Sequence, residues 1–217
     1  MKKIKFGIGG ALMIAAMAIS DSGEVIAVYC FAALLHELGH IIAASVLGVG
    51  IKEIKFGFSG VRIVTDSTLT SYKSELVLAA AGPLVNVMAF IGSLAVFYAK
   101  DKNVEEAFSC ADAFLRGENE TFIGALGFFA LSSLIQAAMN LLPVCSFDGG
   151  RILYCTLAEI WGQRAADRIN EICSALVAWL LWTLALYLML RISSGLGIFV
   201  FAACIFGGVI MQGKGEI

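Results

Sequence analysis

The 217-residue chain contains two histidines, and they stand four apart in His36-Glu37-Leu38-Gly39-His40. On a helix that spacing puts both imidazoles on one face, one turn apart, where they can grip a single Zn2+ while Glu37 points to the adjacent flank. Two histidines placed at random fall four apart about 1% of the time, and a following Glu is rarer by a further factor of about 20. The pattern is therefore read as chemistry rather than coincidence. A metal held in this way lowers the pKa of water from near 15.7 to about 7, and an adjacent unligated carboxylate, here Glu37, takes the proton as general base.

A catalytic zinc takes three protein ligands and keeps a position for water. No histidine remains, so the third ligand must be Asp, Glu or Cys. Asp148 is the best placed, beside Gly149 and Gly150, where a bent backbone can bring its carboxylate back toward the histidines. Cys145 is a rival, as a soft thiolate ligand.

The elements that must carry these residues follow from composition. The chain is 59% hydrophobic and 15% charged, against roughly 45–50% apolar and about 25% charged in an ordinary soluble domain. With a mean hydropathy of +0.88, it reads as a membrane protein, not a disordered tail, a coiled coil or a disulfide-stapled scaffold. Lys+Arg 15 against Asp+Glu 17 leaves no basic field for nucleic acid. The six cysteines form no C-x-x-C pair and read as small buried hydrophobes.

Uncharged runs long enough for ~30 Å of hydrocarbon predict six spans: residues 6–20, 25–48, 76–99, 122–142, 172–190 and 192–211. Lys2, Lys3 and Lys5 precede the first, for which a cleaved signal peptide ending near Ala16-Met17-Ala18 is the alternative. The second carries His36, Glu37 and His40. Ionisable residues there cost ~2.5–3.5 kcal/mol each on insertion if charged, so they need partners or a purpose.

With the N-terminus inside, 11 of the 15 Lys and Arg fall in inside segments and 4 outside, which places both termini in the cytoplasm. The acidic stretch 101–120 then reads as the main external loop. Residues 51–64, around Ser59-Gly60, read as a short β-hairpin at the cytoplasmic face with a free edge. Residues 151–171 read as an interfacial amphipathic helix. The expected fold is an all-α polytopic membrane protein of about six transmembrane helices with one short hairpin. It is expected as one domain, 1–217, with a motif-bearing core at 24–150, C-terminal helices at 151–212, and no PDZ or CBS domain.

Three motifs together resemble the site-2 protease family of intramembrane zinc metalloproteases. They are His36-Glu37-Leu38-Gly39-His40 on the second span, Ala81-Gly82-Pro83-Leu84-Val85-Asn86 on the third, and Asn140-Leu141-Leu142-Pro143 through Asp148-Gly149-Gly150 at the end of the fourth. Order, spacing and membrane placement agree. The layout is most similar to the compact bacterial branch that includes a sporulation sigma-factor-processing protease. This resemblance implies that His36, His40 and Asp148 bind zinc, that Glu37 is the general base, and that the substrate is a membrane-anchored protein. It also suggests Asn140 and Asn86 as amides that hold the substrate backbone or the developing oxyanion, with interhelical hydrogen bonding as the alternative for both and the favoured one for Asn86, and a bacterial plasma membrane as the location. Membrane lipid and a regulatory membrane protein are further expected partners. Val144-Cys145-Ser146-Phe147 departs from the additional prolines frequent in the family.

The function expected is therefore an intramembrane zinc endopeptidase acting near the cytoplasmic boundary. A non-catalytic homologue that captures membrane helices is the alternative, and a metal transporter is a third reading. The intact H-E-x-x-H argues against the former, and the scarcity of further intramembrane carboxylates against the latter.

Overall fold

The computed structural model describes residues 3–6, 23–57, 60–65, 71–118 and 121–191. Helix α1 (Gly23–Val46) carries both histidines. Its 24 residues extend about 36 Å at about 1.5 Å per residue, enough to cross a hydrocarbon core of ~30 Å. The other helices are α2 (Tyr72–Tyr98), α3 (Val104–Leu115), α4 (Phe122–Asn140), α5 (Asp148–Trp161) and α6 (Gln163–Arg191). Four helical stretches among the described residues are long and apolar enough to span a membrane: Gly23–Val46, Tyr72–Tyr98, Phe122–Asn140 and Gln163–Tyr187. They correspond to the second to fifth expected spans. Of the first, only Phe6 is described, and it ends a strand; the signal-peptide alternative and the sixth span lie outside the described residues.

Large apolar side chains cover much of the outer surface, and polar ones lie inside among an apolar core. Leu34, Val46, Leu84, Met88, Ile91, Trp179 and Leu190 are exposed, whereas His36, His40, Asn86, Gln136, Asn170 and Ser174 are buried. In lipid, apolar side chains gain by facing outward and polar ones must be satisfied internally. Helix α2 is the hub, packed on α1, α4 and α5, while α4 also packs on α1 and α3, and α5 on α6. A Cβ on Gly39 would lie 2.7 Å from the Ala81 carbonyl oxygen, so a bare backbone there lets α1 and α2 approach closely.

Two expectations need correction. The acidic stretch is not simply a loop: it contains α3, N-capped by Asn103 with Glu105 and Glu106 in its first turn. Ala107, Ala111 and Phe114 recur at helical spacing on its buried face, and Phe114 stacks on Phe128 of α4 at 5.7 Å. Solvated charges hide this stripe from a composition reading. The segment 151–171 is likewise not one interfacial helix. It breaks at Gly162, whose φ of 82° favours glycine, so its first part belongs to α5 and its second opens α6.

Strands β2 (Ile51–Gly57) and β3 (Gly60–Thr65) pair antiparallel, with Ile54 opposite Ile63 and Gly57 opposite Gly60. Strand β1 (Lys3–Phe6) pairs parallel to β2, with Lys3 opposite Glu53 and Phe6 opposite Phe56. The sheet order is β1-β2-β3. Strand β2 is therefore central, and among the described strands β3 is an outer strand.

Candidate metal centre

His36 and His40 project from one face of α1 with ring centroids 4.9 Å apart and planes at 79°. Both are buried. Asp148, the first residue of α5, reaches them from a different helix. Its Oδ2 lies 3.1 Å from His36 Nε2 and 3.2 Å from His40 Nε2, and the two Nε2 atoms are 3.2 Å apart. Zinc bonds of about 2.0–2.1 Å in tetrahedral geometry would set ligand atoms about 3.3 Å apart. The observed triangle fits such an ion closely, and two imidazoles with one carboxylate are a donor set that zinc favours. Among the described residues these three form the one group of His, Cys, Asp or Glu able to share a metal.

The surroundings also fit. His40 Nδ1 donates to the Leu78 carbonyl at 2.8 Å. A carbonyl can only accept, so the Nε2 lone pair is left facing the triangle. His36 Nδ1 meets the Asn86 amide at 3.3 Å, and Asn86 Nδ2 also donates to Gln136 Oε1 at 3.3 Å. Gln136 Nε2 in turn donates to the Tyr29 carbonyl at 3.2 Å. His40 thus has its second nitrogen donating, as metal-bound histidines do, while the Asn86 amide packs against the other nitrogen of His36. Gly82 on α2 supplies the room: a Cβ there would stand 2.3 Å from His40 Nε2 and 2.7 Å from His36 Nε2.

The loop before Asp148 shows why two glycines follow it. They are helical rather than a bend, contrary to the expectation. A Cβ on Gly149 would fall 2.1 Å from the Leu141 carbonyl oxygen and one on Gly150 2.2 Å from that of Val144. Their bare backbone lets residues 141–147 fold down onto the first turn of α5. Pro143 sits just beyond the end of α4, where proline cannot continue a helix. At its N-terminal position Asp148 also lies at the positive end of the α5 dipole.

The other expected site residues fall in distinct places. Glu37 is half-buried, and its Oε2 is buried without a hydrogen-bond partner. Asn86 is fully buried behind His36. Asn140 is half-buried, with Nδ2 donating to the Gln136 carbonyl one turn back. The Cys145 thiol lies against Ser174 Oγ at 2.8 Å and 3.7 Å from the Asn170 carbonyl, on α6. The triangle therefore contains Asp148 and not Cys145. Gln136 was missed, and its signal was an amide inside an apolar span, a placement that calls for a partner; nothing in the sequence singles out the Leu78 carbonyl.

Two turns along α5 from Asp148, Cys155 packs 3.6 Å from the Glu75 carboxylate of α2. Burial first, and that carboxylate second, push its thiol up to about 11.

Comparisons with known proteins bear on the fold and the family. The solved structure of the site-2 protease from Methanocaldococcus jannaschii matches with a TM-score of 0.67 at 22% identity, over 96% of this chain and 89% of that one; it shows a shared fold. A Synechocystis protein assigned as a zinc metalloprotease is 29% identical over 144 residues, 65% of this chain and 34% of its own length. The Haemophilus influenzae regulator of sigma E protease is 34% identical over 62 residues, 29% of this chain and 14% of that protein. The chain thus spans about a third or less of these two relatives. The family model for peptidase family M50 matches residues 24–184, from the start of α1 into α6 and across all three motifs, so the chain is an integral membrane protein that belongs to peptidase family M50, the site-2 protease family.

Proposed function

We propose that the chain is a zinc endopeptidase that hydrolyses membrane-anchored protein substrates within the bilayer, near the cytoplasmic side. The observation that carries this reading is the buried triangle of His36, His40 and Asp148, 3.1–3.2 Å on each side, with an unpartnered carboxylate oxygen of Glu37 on the residue between the ligands. When bound, zinc supplies Lewis-acid polarisation of the scissile carbonyl and makes water a nucleophile near neutral pH. His36, His40 and Asp148 are its ligands.

Glu37 does the proton work. A catalytic base must be free to take a proton from water and return it to the leaving amine, and a carboxylate oxygen already tied to a donor would be a poorer base. Asn140, half-buried at the C-terminal end of α4, is the amide placed to pair with an extended substrate backbone. Asn86 sits behind His36, and its placement favours holding that ring over touching substrate.

A helical substrate hides its carbonyls in its own hydrogen bonds, so cleavage needs local unwinding and new partners for the freed groups. Strand β3 offers an outer edge for strand addition, while β1 and β3 occupy the two sides of β2. The single domain, both termini on the cytoplasmic side and a bacterial plasma membrane complete the reading, with lipid and a regulatory membrane protein as partners.

The decisive experiment is Glu37→Gln, assayed on a membrane-tethered test substrate with metal content measured in parallel. Turnover should fall by about a thousandfold or more, within the range that general-base catalysis supplies, while zinc stays stoichiometric. A variant that still cleaves, or a zinc-loaded wild type that cleaves no tethered substrate, would overturn the assignment.

A further inference from the structure

His36 and His40 share one helix, so their separation is fixed locally, but Asp148 arrives on another element. Something must hold the 141–147 loop so that Asp148 Oδ2 stays within 3.2 Å of both rings. Leu141 and Leu142 bond back to the end of α4, through the Ala137 and Met139 carbonyls, but the turns after them, Val144 N–H to the Leu142 carbonyl and Phe147 N–H to the Val144 carbonyl, are internal and do not tie the second half of the loop to the bundle. The Cys145 amide instead reaches across to α6, donating to Ser174 Oγ at 2.8 Å. Ser174 is fully buried, and its hydroxyl donates to the Asn170 carbonyl at 2.6 Å. With its one proton committed there, the oxygen is held as an acceptor for Cys145. Beside this bond, Val144 and Phe147 are buried against Val177 and Leu181, one and two turns further along α6.

We propose that Ser174 is a positioning residue for the third metal ligand: its hydroxyl pins the Cys145 amide to α6 and so sets where the loop delivers Asp148. The inference rests on the metal-centre reading above. It also gives α6 a role in the site, although α6 contributes no ligand. Ser174→Ala removes the acceptor and leaves the half-buried Cys145 amide without its partner on α6, which the loop relieves by shifting.

The test measures Zn2+ affinity of the full-length protein in detergent, by competition with a chromophoric chelator. Ser174→Ala should weaken zinc binding about tenfold, the lower end of what outer-shell changes cost. In an Asp148→Ala background the same substitution should change affinity by less than about twofold, because two residues acting through one group are non-additive. Ser174→Cys fills the same space with a far weaker acceptor and carries the test if the alanine variant does not fold. In the Co2+-substituted protein, visible absorption of Ser174→Ala should shift toward that of Asp148→Ala. Affinity within about twofold of wild type, or equal losses in both backgrounds, overturns this proposal alone. A wild-type protein that takes up no zinc overturns the metal-centre reading itself.

Discussion

The two sides of the proposed metal centre are built in different ways. On the α1–α2 side, both proposed ligands come from one turn of a single helix, and the neighbouring helix completes them with the Leu78 carbonyl, the Asn86 amide and the bare backbone of Gly82. On the α4–α5 side, one ligand sits at a helix start reached through a seven-residue loop (residues 141–147) folded against that helix and tied to α6. The first side is held by helical periodicity, and the second by long-range packing. The first should therefore tolerate loss of its neighbours better than loss of a ring, whereas the second should fail through its supports.

The largest effect follows from removing a ring. His40→Ala deletes a proposed ligand that is fixed by its own hydrogen bond to Leu78, and zinc affinity should fall by about a hundredfold or more, since several ligands share a binding free energy of roughly 10–16 kcal/mol. Cleavage of a tethered substrate should drop to background. Equilibrium dialysis with metal analysis checks it. Retention of stoichiometric, tightly held zinc would mean that the paired rings are not the foundation of the site.

Next come two glycines, one on each side, which separate the two modes of construction. Gly82→Ala would put a methyl 2.3 Å from His40 Nε2, whereas Gly149→Ala would put one 2.1 Å from the Leu141 carbonyl oxygen. The first clashes mainly with ligand side chains, which can swing away at the expense of the metal. The second clashes with backbone, which has nowhere to go without rebuilding the loop. Gly82→Ala should therefore lose zinc by about a hundredfold or less with a small fall in thermal midpoint. Gly149→Ala should lower both, and its midpoint more. Calorimetry of the metal-free proteins together with zinc titration checks the pair, and equal falls in midpoint would erase the proposed difference between the sides.

The same contrast explains what could be read from the sequence. His36, Glu37 and His40 were legible because a spacing of four on a helix is a local fact, and four apolar runs marked the helices that carry the fold. Asp148 was legible only as a carboxylate near two glycines and by its resemblance to a known motif, because 112 residues separate it from His36 and no local rule spans that distance. The glycines' use was misread: they make room for a loop over a straight helix start. Helix α3 was missed because charges on its outer face masked a stripe of Ala107, Ala111 and Phe114, two of whose members are too small to register as hydrophobic periodicity. The pairing of β1 with β2 was not legible, since Lys3–Phe6 is four residues long and a parallel partner far along the chain leaves no turn signal.

A smaller effect should come from the amide behind His36. Asn86→Leu removes the group facing Nδ1 and leaves Gln136 Oε1 without its partner. Losing an outer-shell hydrogen bond to a ligating histidine costs about 10- to 100-fold in affinity, and the lower end applies here because helix α1 still sets the ring's position. Zinc affinity should therefore fall about tenfold, less than for His40→Ala. If Asn86→Leu proved as damaging as loss of the ring itself, the α1–α2 side would depend on its supports after all.

The smallest effect is a rate, and it measures how firmly the Asp148 side is closed. Cys155 lies on the same helix as Asp148 and is held against Glu75 of α2, with its thiol pushed up to about 11 by burial and by that carboxylate. Only the thiolate is alkylated, so about one molecule in a thousand is reactive at pH 8 even before access is considered. Because pH 8 to 9.5 lies below this value, the reaction rate should climb about tenfold per pH unit without a plateau. Glu75→Gln removes the second cause of the shift, lowers the thiol pKa and should raise the rate several-fold at pH 8. Mass spectrometry of the labelled peptide containing Cys155 follows both. If instead Cys155 labels as fast in the folded protein as in denaturant, α5 separates from α2 on that timescale. Asp148 could then not be held by packing, and its position would have to depend on the bound ion.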